Sequence, residues 1–462
     1  MDNKINEYIE KNKEKYISEL SKLISFKTVA MDKNSKNEFN NCTDYIKNLL
    51  SDYVDKITLV TDFGNPIITA EKHVSNSLPT VLLYAHYDVQ PETPLDLWNS
   101  NPFILTKKDN LLLGRGVADD KSHLLEIIKT LELIKNNNLE LKYNIKILFE
   151  PSEECGSKEL NNFLDSNLKE VDILKCDTLL ACDSSLISNE KPSITVGLRG
   201  CVDFELTIIG PNKDIHSGMY GGVVGNPIHE LCRLIDIIHD ENNKITIENF
   251  YNGVENNDNL REMLNKLPNN EDDLKKDLEV DDFIIERGFT SIEASRIRPT
   301  FEVNGIFGGY EGEGGKTIIP NKCTAKISCR LVNNQKTDDI YNYFCDFIKK
   351  NIRKAFKFNI IRNSKGSSAV ESNINCNEFK KFISIMKEEY YQNNTNINKE
   401  ILFDRSGGSI PIMTKLNEKY GCDIIFVGFV NSNSNCHGPN ENCEIISIEK
   451  GIKILTTYLL KK

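Results

Sequence analysis

The stretch Val81-Leu82-Leu83-Tyr84-Ala85-His86-Tyr87-Asp88 decides the fold, because a continuous apolar run ends here on a histidine and an aspartate. Such a run is typical of a strand that is buried on both faces, as in a parallel sheet. Two further runs follow the same pattern: residues 145–149 lead to Glu154, and residues 178–181 lead to Asp183. Parallel strands present their carboxyl ends at one edge, which is where open α/β sheets bind ligands.

Helical patterns alternate with these strands, which predicts the α/β class with a mostly parallel, helix-covered sheet. After residue 191 the pattern changes to strict apolar–polar alternation, in residues 202–208 and 323–331, and this predicts an antiparallel sheet. The α/β rhythm resumes near residue 378. The sequence therefore predicts a first domain in two parts, residues 1–198 and 374–462, with an α+β domain of residues 199–373 inserted between them.

Composition is that of an ordinary globular protein, with 39% hydrophobic and 27% charged residues. The net charge of −11 speaks against a nucleic-acid partner. No apolar run approaches the roughly 20 residues that a membrane-spanning helix needs, so no membrane association is expected. The 13 cysteines are scattered and odd in number, which indicates a reduced, cytoplasmic protein.

Five side chains at the strand ends and in nearby loops are of the types that bind divalent metals. Taken singly, each has a plainer explanation: a lone histidine is more often a core residue, an acidic pair is often solvated, and Asp119 or Asp120 would serve as a helix cap. Together they match a two-metal site that shares a bridging carboxylate, which needs about five protein ligands. The predicted metal ligands are His86, Asp119, Glu154, Asp183 and His437.

Two neighbours of these ligands have predicted catalytic roles. Asp88 lies two positions after His86, on the same face of an extended strand, and can orient its imidazole. Glu153 adjoins a ligand without having to be one, which leaves its carboxylate free to act as a general base.

Three further residues with metal-binding atoms are not expected to be ligands. Cys155 and Cys436 each adjoin a predicted ligand, but alternation in an extended segment points adjacent side chains to opposite sides. His123 is expected on the surface of the helix that begins near Asp120.

Eight segments carry a resemblance to a known family, and they run in that family's order along nearly the whole chain. They are His86-Tyr87-Asp88-Val89-Gln90-Pro91, Gly114-Arg115-Gly116-x-x-Asp119-Asp120-Lys121, Glu153-Glu154-x-Gly156-Ser157, Asp183, His216-Ser217-Gly218-x-Tyr220-Gly221-Gly222, Arg330-Leu331-Val332-x-Asn334-Gln335, Arg405-x-Gly407-Gly408-Ser409-Ile410-Pro411 and His437-x-x-Asn440-Glu441. In these segments the chain resembles the M20 family of metallopeptidases, in particular carnosinase-type cytosolic dipeptidases. One position departs from the family, which usually has glycine where this chain has Ser122.

The resemblance implies how the ligands divide between two divalent ions. One ion would bind His86 and Asp183, the other would bind Glu154 and His437, and Asp119 would bridge them. The family's peptide bond between Asp119 and Asp120 is cis, and the same is expected here. Zinc is the expected metal, with manganese or cobalt as alternatives, since no ligand in the set is a thiolate.

The resemblance also implies that the inserted segment is a lid domain that binds substrate and joins two subunits in a homodimer. The substrate-binding residues that it indicates are His216, Thr317, Arg330 and Ser409. Arg330 suits a carboxylate because its planar fork can bind both oxygens. In dimeric members His216 and Thr317 serve the partner's site, and the sequence leaves open whether they act in cis or in trans.

The activity implied by the resemblance is hydrolysis of dipeptides or short peptides that have a free C-terminal carboxylate. The nearest alternative is an M20-type amidohydrolase that removes the acyl group from an N-acyl amino acid. A third interpretation is a binding protein without catalytic activity. The presence of Glu153 and all five predicted ligands argues against it.

Overall fold

The computed structural model describes residues 2–255, 257–391 and 400–461. Contacts divide the chain into unit 1, which comprises Met1–Val196, Glu371–Asp404 and Lys415–Lys462, and unit 2, which comprises Gly197–Val370 and Arg405–Thr414. The domain boundaries expected from the sequence, at residues 1–198, 199–373 and 374–462, stay a prediction. The predicted second part of the first domain includes residues 392–399, which lie outside the described residues.

Helices and strands are numbered in chain order. The helices are α1 (Asp2–Ser25), α2 (Lys36–Leu50), α3 (Lys121–Asn136), α4 (Lys158–Asp165), α5 (Ser217–Tyr220), α6 (Pro227–Asp236), α7 (Asp258–Asn265), α8 (Glu271–Asp277), α9 (Ser291–Ile297), α10 (Thr337–Asn351), α11 (Asn377–Tyr391), α12 (Pro411–Tyr420) and α13 (Ile445–Leu460). The strands are β1 (Lys56–Val60), β2 (Ile67–Lys72), β3 (Thr80–His86), β4 (Thr106–Lys108), β5 (Leu111–Leu113), β6 (Asn144–Glu150), β7 (Thr178–Cys182), β8 (Ser185–Leu186), β9 (Ser193–Leu198), β10 (Gly200–Ile209), β11 (Ile215–His216), β12 (Thr300–Phe307), β13 (Ile318–Ile319), β14 (Lys322–Leu331), β15 (Lys357–Arg362), β16 (Val370–Glu371), β17 (Leu402–Ser406), β18 (Asp423–Val427), β19 (Val430–Asn431) and β20 (Asn442–Glu444).

The largest sheet has the strand order β1-β2-β6-β3-β7-β18-β9-β16, and β17 also pairs with β9. Its central strands β6, β3, β7 and β18 are parallel to their neighbours in this group. The pairings of β1 with β2, of β2 with β6 and of β18 with β9 are antiparallel, so the sheet is mixed around a parallel centre. The predicted α/β class is confirmed.

Helix α3 covers this parallel centre, and it is buried along almost its whole length. It packs against β3 as well as against α1 and α13. Two of its charged side chains, Lys129 and Glu132, are out of water and are paired: Lys129 Nζ lies 2.6 Å from both Glu19 and Glu132. Because a buried charge without a partner is costly, this pairing offsets the cost of burying these two positions of the helix.

Unit 2 is built on the antiparallel sheet β12-β14-β10-β15, as predicted from strict alternation. Alternate residues of β10 are buried, among them Phe204, which stacks on Phe344 of α10 with ring centroids 4.9 Å apart. One face of the sheet is thus covered by helices. None of the helices within residues 2–255, 257–391 and 400–461 combines the length and apolar content that crossing a bilayer requires.

Candidate metal centre

Parallel strands bring three of the predicted ligands to one edge of the large sheet. β3 ends on His86, β6 ends on Glu150 shortly before the turn Glu153–Cys155, and β7 ends one residue before Asp183. His86 and Glu150 are partners in the strand register, so the ends of β3 and β6 lie side by side. This is the carboxyl edge at which α/β sheets bind ligands.

Asp119 lies between the two histidines that were predicted as ligands. Its Oδ1 is 2.9 Å from His86 Nε2, and its Oδ2 is 3.0 Å from His437 Nε2. Asp183 Oδ1 lies 3.9 Å from His86 Nε2, and Glu154 Oε2 lies 3.1 Å from His437 Nε2. The structure therefore brings together all five predicted ligands, which we call the candidate centre. Their role as metal ligands stays a prediction.

The candidate centre fits divalent cations. In each of two groups, the metal-binding atoms lie within 4.8 Å of one another; the groups are Asp119, Glu154 and His437, and His86, Asp120 and Asp183. Carboxylate oxygens and imidazole nitrogens are ligands that zinc, manganese and cobalt accept. Glu154 Oε1 is buried and has no hydrogen-bond partner among the described residues, as suits an atom directed at a cation. The peptide bond between Asp119 and Asp120 is cis, as the resemblance implied.

The prediction that His123 lies on a helix surface is wrong. His123 is 1% exposed, and its Nδ1 lies 2.5 Å from Oδ1 of Asp120. The backbone N–H of Phe429 donates to His123 Nε2 at 3.2 Å, so Nε2 is an acceptor and Nδ1 carries the proton donated to Asp120. Asp120 in turn accepts the backbone N–H of His86 at 3.0 Å. The surface prediction failed because α3 is buried on more than one face.

Asp88 contacts both His86 and the segment that carries Glu154. Its two carboxylate oxygens accept the backbone N–H groups of Glu153 and Glu154, at 3.0 and 3.1 Å. Its backbone oxygen is 3.1 Å from His86 Nδ1, the ring nitrogen on the side away from Asp119. These are the contacts that the predicted orienting role requires, and the role itself stays a prediction.

Carboxylates are crowded in and around the candidate centre, and their pKa values reflect it. Burial raises the pKa of Asp183 and of Glu153 well above the usual range, and neighbouring carboxylates act in the same direction. Burial also acts to raise the pKa of Asp119, but hydrogen bonds with His437 and His86 outweigh it and lower that pKa. Bonds with Asp119 and Glu154 raise the pKa of His437 to about 10. Divalent ions, when bound, would favour the charged forms of these carboxylates.

The two cysteines beside the ligands do not join the candidate centre. Cys155 and Cys436 are exposed and belong to neither group of metal-binding atoms found among the described residues. The Cys155 thiol lies 3.6 Å from the backbone oxygen of Ser152.

The four predicted substrate-binding residues lie in unit 2. His216 is close to Thr317, and Arg330 is close to Ser409. His216, exposed at the end of β11, is the register partner of Ile318, the residue next to Thr317. Arg330 on β14 donates from Nη1 to Ser409 Oγ at 2.9 Å. Among the described residues Arg330 has no carboxylate within ion-pair distance, so its guanidinium is available to an anion.

Residues 82–461 match peptidase family M20/M25/M40. The chain belongs to this family. Cys-Gly metallodipeptidase dug1 of Schizosaccharomyces pombe is 27% identical over 474 residues, which cover 99% of this chain and 97% of the relative. Beta-Ala-His dipeptidase of Homo sapiens is 25% identical over 413 residues, which cover 86% of this chain and 77% of the relative.

Solved structures of M20 proteins show the same fold. The M20 family metallo-carboxypeptidase Sso-CP2 from Sulfolobus solfataricus has a TM-score of 0.83 and 29% identity, covering 96% of this chain and 98% of that one. The di-peptidase Dug1p from Saccharomyces cerevisiae has a TM-score of 0.81 and 24% identity, covering 100% of this chain and 98% of that one.

We expect metal-depleted protein to take up two equivalents of zinc, manganese or cobalt. At an ion concentration of 100 Kd each bound ion would stabilise the fold by about 2.7 kcal/mol, which raises the melting temperature. His437→Ala should lose about one equivalent in elemental analysis, because it removes one of three atoms in its group. His229→Ala, which changes an exposed histidine of unit 2, is the control. Two tightly held ions in His437→Ala would contradict the assignment.

Proposed function

We propose that this M20 protein is a metallodipeptidase that uses two divalent ions per subunit, with zinc first and manganese or cobalt as alternatives. The observation that carries the proposal is the position of Asp119, which contacts one imidazole with each carboxylate oxygen. A bridging carboxylate between two groups of ligands is the arrangement that two-metal hydrolases use. The metallodipeptidases among the relatives support the same activity.

The residues of the chain have distinct tasks in this reaction. When bound, the divalent ions lower the pKa of a water molecule and polarise the carbonyl of the scissile bond. Glu153 belongs to neither group of metal-binding atoms, so its carboxylate is available to take the proton from the attacking water. It then gives that proton to the leaving amine. Asp88 keeps Glu153 in place through its backbone N–H.

Arg330 and Ser409 are proposed to bind the C-terminal carboxylate of the substrate. The alternative activity, removal of an acyl group from an amino acid, is not favoured by the relatives, which include Cys-Gly and beta-Ala-His dipeptidases. Because Sso-CP2 is named a metallo-carboxypeptidase, longer peptides belong in the assay as well. A panel of Cys-Gly, beta-Ala-His, N-acyl amino acids and N-blocked tripeptides separates these activities by rate.

We further propose a cytoplasmic homodimer. All 13 cysteines are free in the structure, which agrees with a reducing compartment. The dimer is what the M20 resemblance implies, with the predicted lid at the subunit interface. Light scattering that shows a monomer with full activity would refute the dimer, and export of the protein in its host would refute the location.

Glu153→Gln should reduce turnover by roughly 10²–10⁴-fold while both ions remain bound. The amide keeps the shape of the side chain but cannot carry the proton. Elemental analysis of the same preparation is the essential companion measurement, since loss of an ion would make Glu153 a ligand instead. Glu92→Gln, a change outside the candidate centre, should leave turnover unchanged.

Arg330→Lys should raise KM for dipeptides by roughly 10–100-fold, because a charge-assisted pair of hydrogen bonds becomes one. Dipeptide amides should be poor substrates of the unchanged enzyme and should lose little more in the variant. Arg362→Lys on β15 of the same sheet is the matched control. Equal rates of the unchanged enzyme on dipeptides and their amides would exclude the carboxylate-binding role.

His216 is proposed to donate to the developing oxyanion of the partner subunit's site. His216→Ala and Glu153→Ala should each be nearly inactive alone. Mixed after subunit exchange they should regain activity, because one site of each heterodimer then has both residues. If exchange is demonstrated by mass spectrometry and activity stays absent, the trans arrangement is wrong.

A further inference from the structure

Glu441 has a carboxylate that is completely buried and surrounded by N–H donors. Its Oε1 accepts the backbone N–H groups of Ala118 and Asp119, at 2.8 and 3.0 Å. Its Oε2 accepts the backbone N–H of Gly116 at 2.9 Å and Nη1 of Arg115 at 2.8 Å. Four donors on one carboxylate hold the backbone of residues 116–119, which ends on the central residue of the candidate centre.

Arg115 extends the same network to the loop that carries His437. It is 1% exposed, and its Nη2 donates to the backbone oxygens of His437 and Gly438, both at 3.2 Å, and to that of Pro91 at 3.3 Å. The guanidinium carbon Cζ lies over the ring of Trp98, 5.3 Å from its centroid. One buried cation thus holds the carbonyl groups of two separate loops.

The loop held by Arg115 has an unusual backbone. Asn435, His437 and Asn440 have φ angles of 56°, 63° and 60°, in the left-handed region that non-glycine residues seldom adopt. Asparagine tolerates this region, but for histidine it costs energy unless neighbouring contacts hold it. The bonds from Arg115 to the carbonyls of His437 and Gly438 are such contacts.

We infer that Arg115 and Glu441 are positioning residues that fix the separation of Asp119 and His437. Glu441 accepts the backbone N–H of Asp119, and Arg115 donates to the backbone oxygen of His437. The side chains of Asp119 and His437 are 3.0 Å apart, from Oδ2 to Nε2. The ion pair is the shared support of Asp119 and His437, two of the three members of the group Asp119, Glu154 and His437. The inference rests on the proposed metal centre. In that centre, Arg115 and Glu441 would keep the ligands Asp119 and His437 of one ion position at the right distance from each other.

The chemistry of the pair requires both its charge and its shape. Lysine in place of Arg115 keeps the charge but cannot reach one carboxylate and three carbonyls from a single ammonium group. Glutamine in place of Glu441 keeps the shape, but its NH₂ group faces N–H donors and loses their bonds. Neither change touches a side chain of the other group, His86, Asp120 and Asp183, directly.

The test is a titration of metal-depleted protein with zinc, followed by calorimetry. The unchanged protein should bind two equivalents. Arg115→Lys, which loosens the loop of His437, should bind one equivalent normally and the second 10–100-fold more weakly, the loss usual for residues that hold metal ligands. Glu441→Gln should weaken the same equivalent by that factor and the other equivalent as well, because Asp119 contacts both histidines. The matched control is Glu230→Gln, which breaks the ion pair with Arg233 in unit 2, where the N–O distance is 2.6 Å.

The outcomes separate the inference from the proposed function. If the unchanged protein binds no divalent ions, the metal centre itself is refuted. If it binds two and both variants bind two with the same affinities, only the positioning role is refuted.

A second measurement needs no variant. In the metal-depleted, unchanged protein, the amide protons of Gly116, Ala118 and Asp119 should exchange slowly with deuterium, because Glu441 holds them without help from an ion. Rapid exchange there, at the rate of an exposed loop, would overturn the inference even if the variants failed to fold.

Discussion

Repulsion among buried carboxylates is the constraint on which the candidate centre depends. Asp119, Glu154 and Asp183 lie together with the neighbouring carboxylates of Asp120 and Glu153, in surroundings that raise the pKa of Glu153 and Asp183. A buried charge without compensation costs several kcal/mol, so such a cluster persists only where cations or N–H donors face it. Two imidazoles supply part of that compensation, and divalent ions would supply the rest.

Three further carboxylates, which lie behind the predicted ligands, accept backbone N–H groups of the segments that carry those ligands. Asp88 accepts from Glu153 and Glu154, Asp120 accepts from His86, and Glu441 accepts from Asp119. The segments that carry His86, Asp119 and Glu154 are therefore tied by their main chain to a buried acid, which leaves these side chains free to face the centre. A metal site whose ligands are held in this way loses little conformational freedom when an ion binds.

The sequence predicted the structure correctly where a pattern of residues is compatible with only one kind of element. Buried parallel strands are continuous apolar runs, so the ends at His86 and Asp183 could be read directly, and alternation in β10 and β14 revealed the antiparallel sheet. Helical spacing, by contrast, identifies one apolar face and cannot show that α3 is buried on the others. His123 was misplaced for that reason. A helix cap explains Asp119 or Asp120 equally well, so the sequence does not show that Asp120 lies with His86 and Asp183.

Contacts between distant parts of the chain explain what the sequence could not show. Arg115 and Glu441 are 326 positions apart, and no local pattern marks one as the partner of the other. A second example is Arg405–Thr414, whose sequence continues the alternation of strands and helices on either side of it. It nevertheless belongs to unit 2, where Arg199 Nε donates to the backbone oxygen of Gly407 at 2.9 Å. In both cases an arginine donates to backbone oxygens that are remote in sequence. At Arg115 the loop held in this way carries His437, a predicted metal ligand, so a contact between remote parts of the chain bears on the candidate centre.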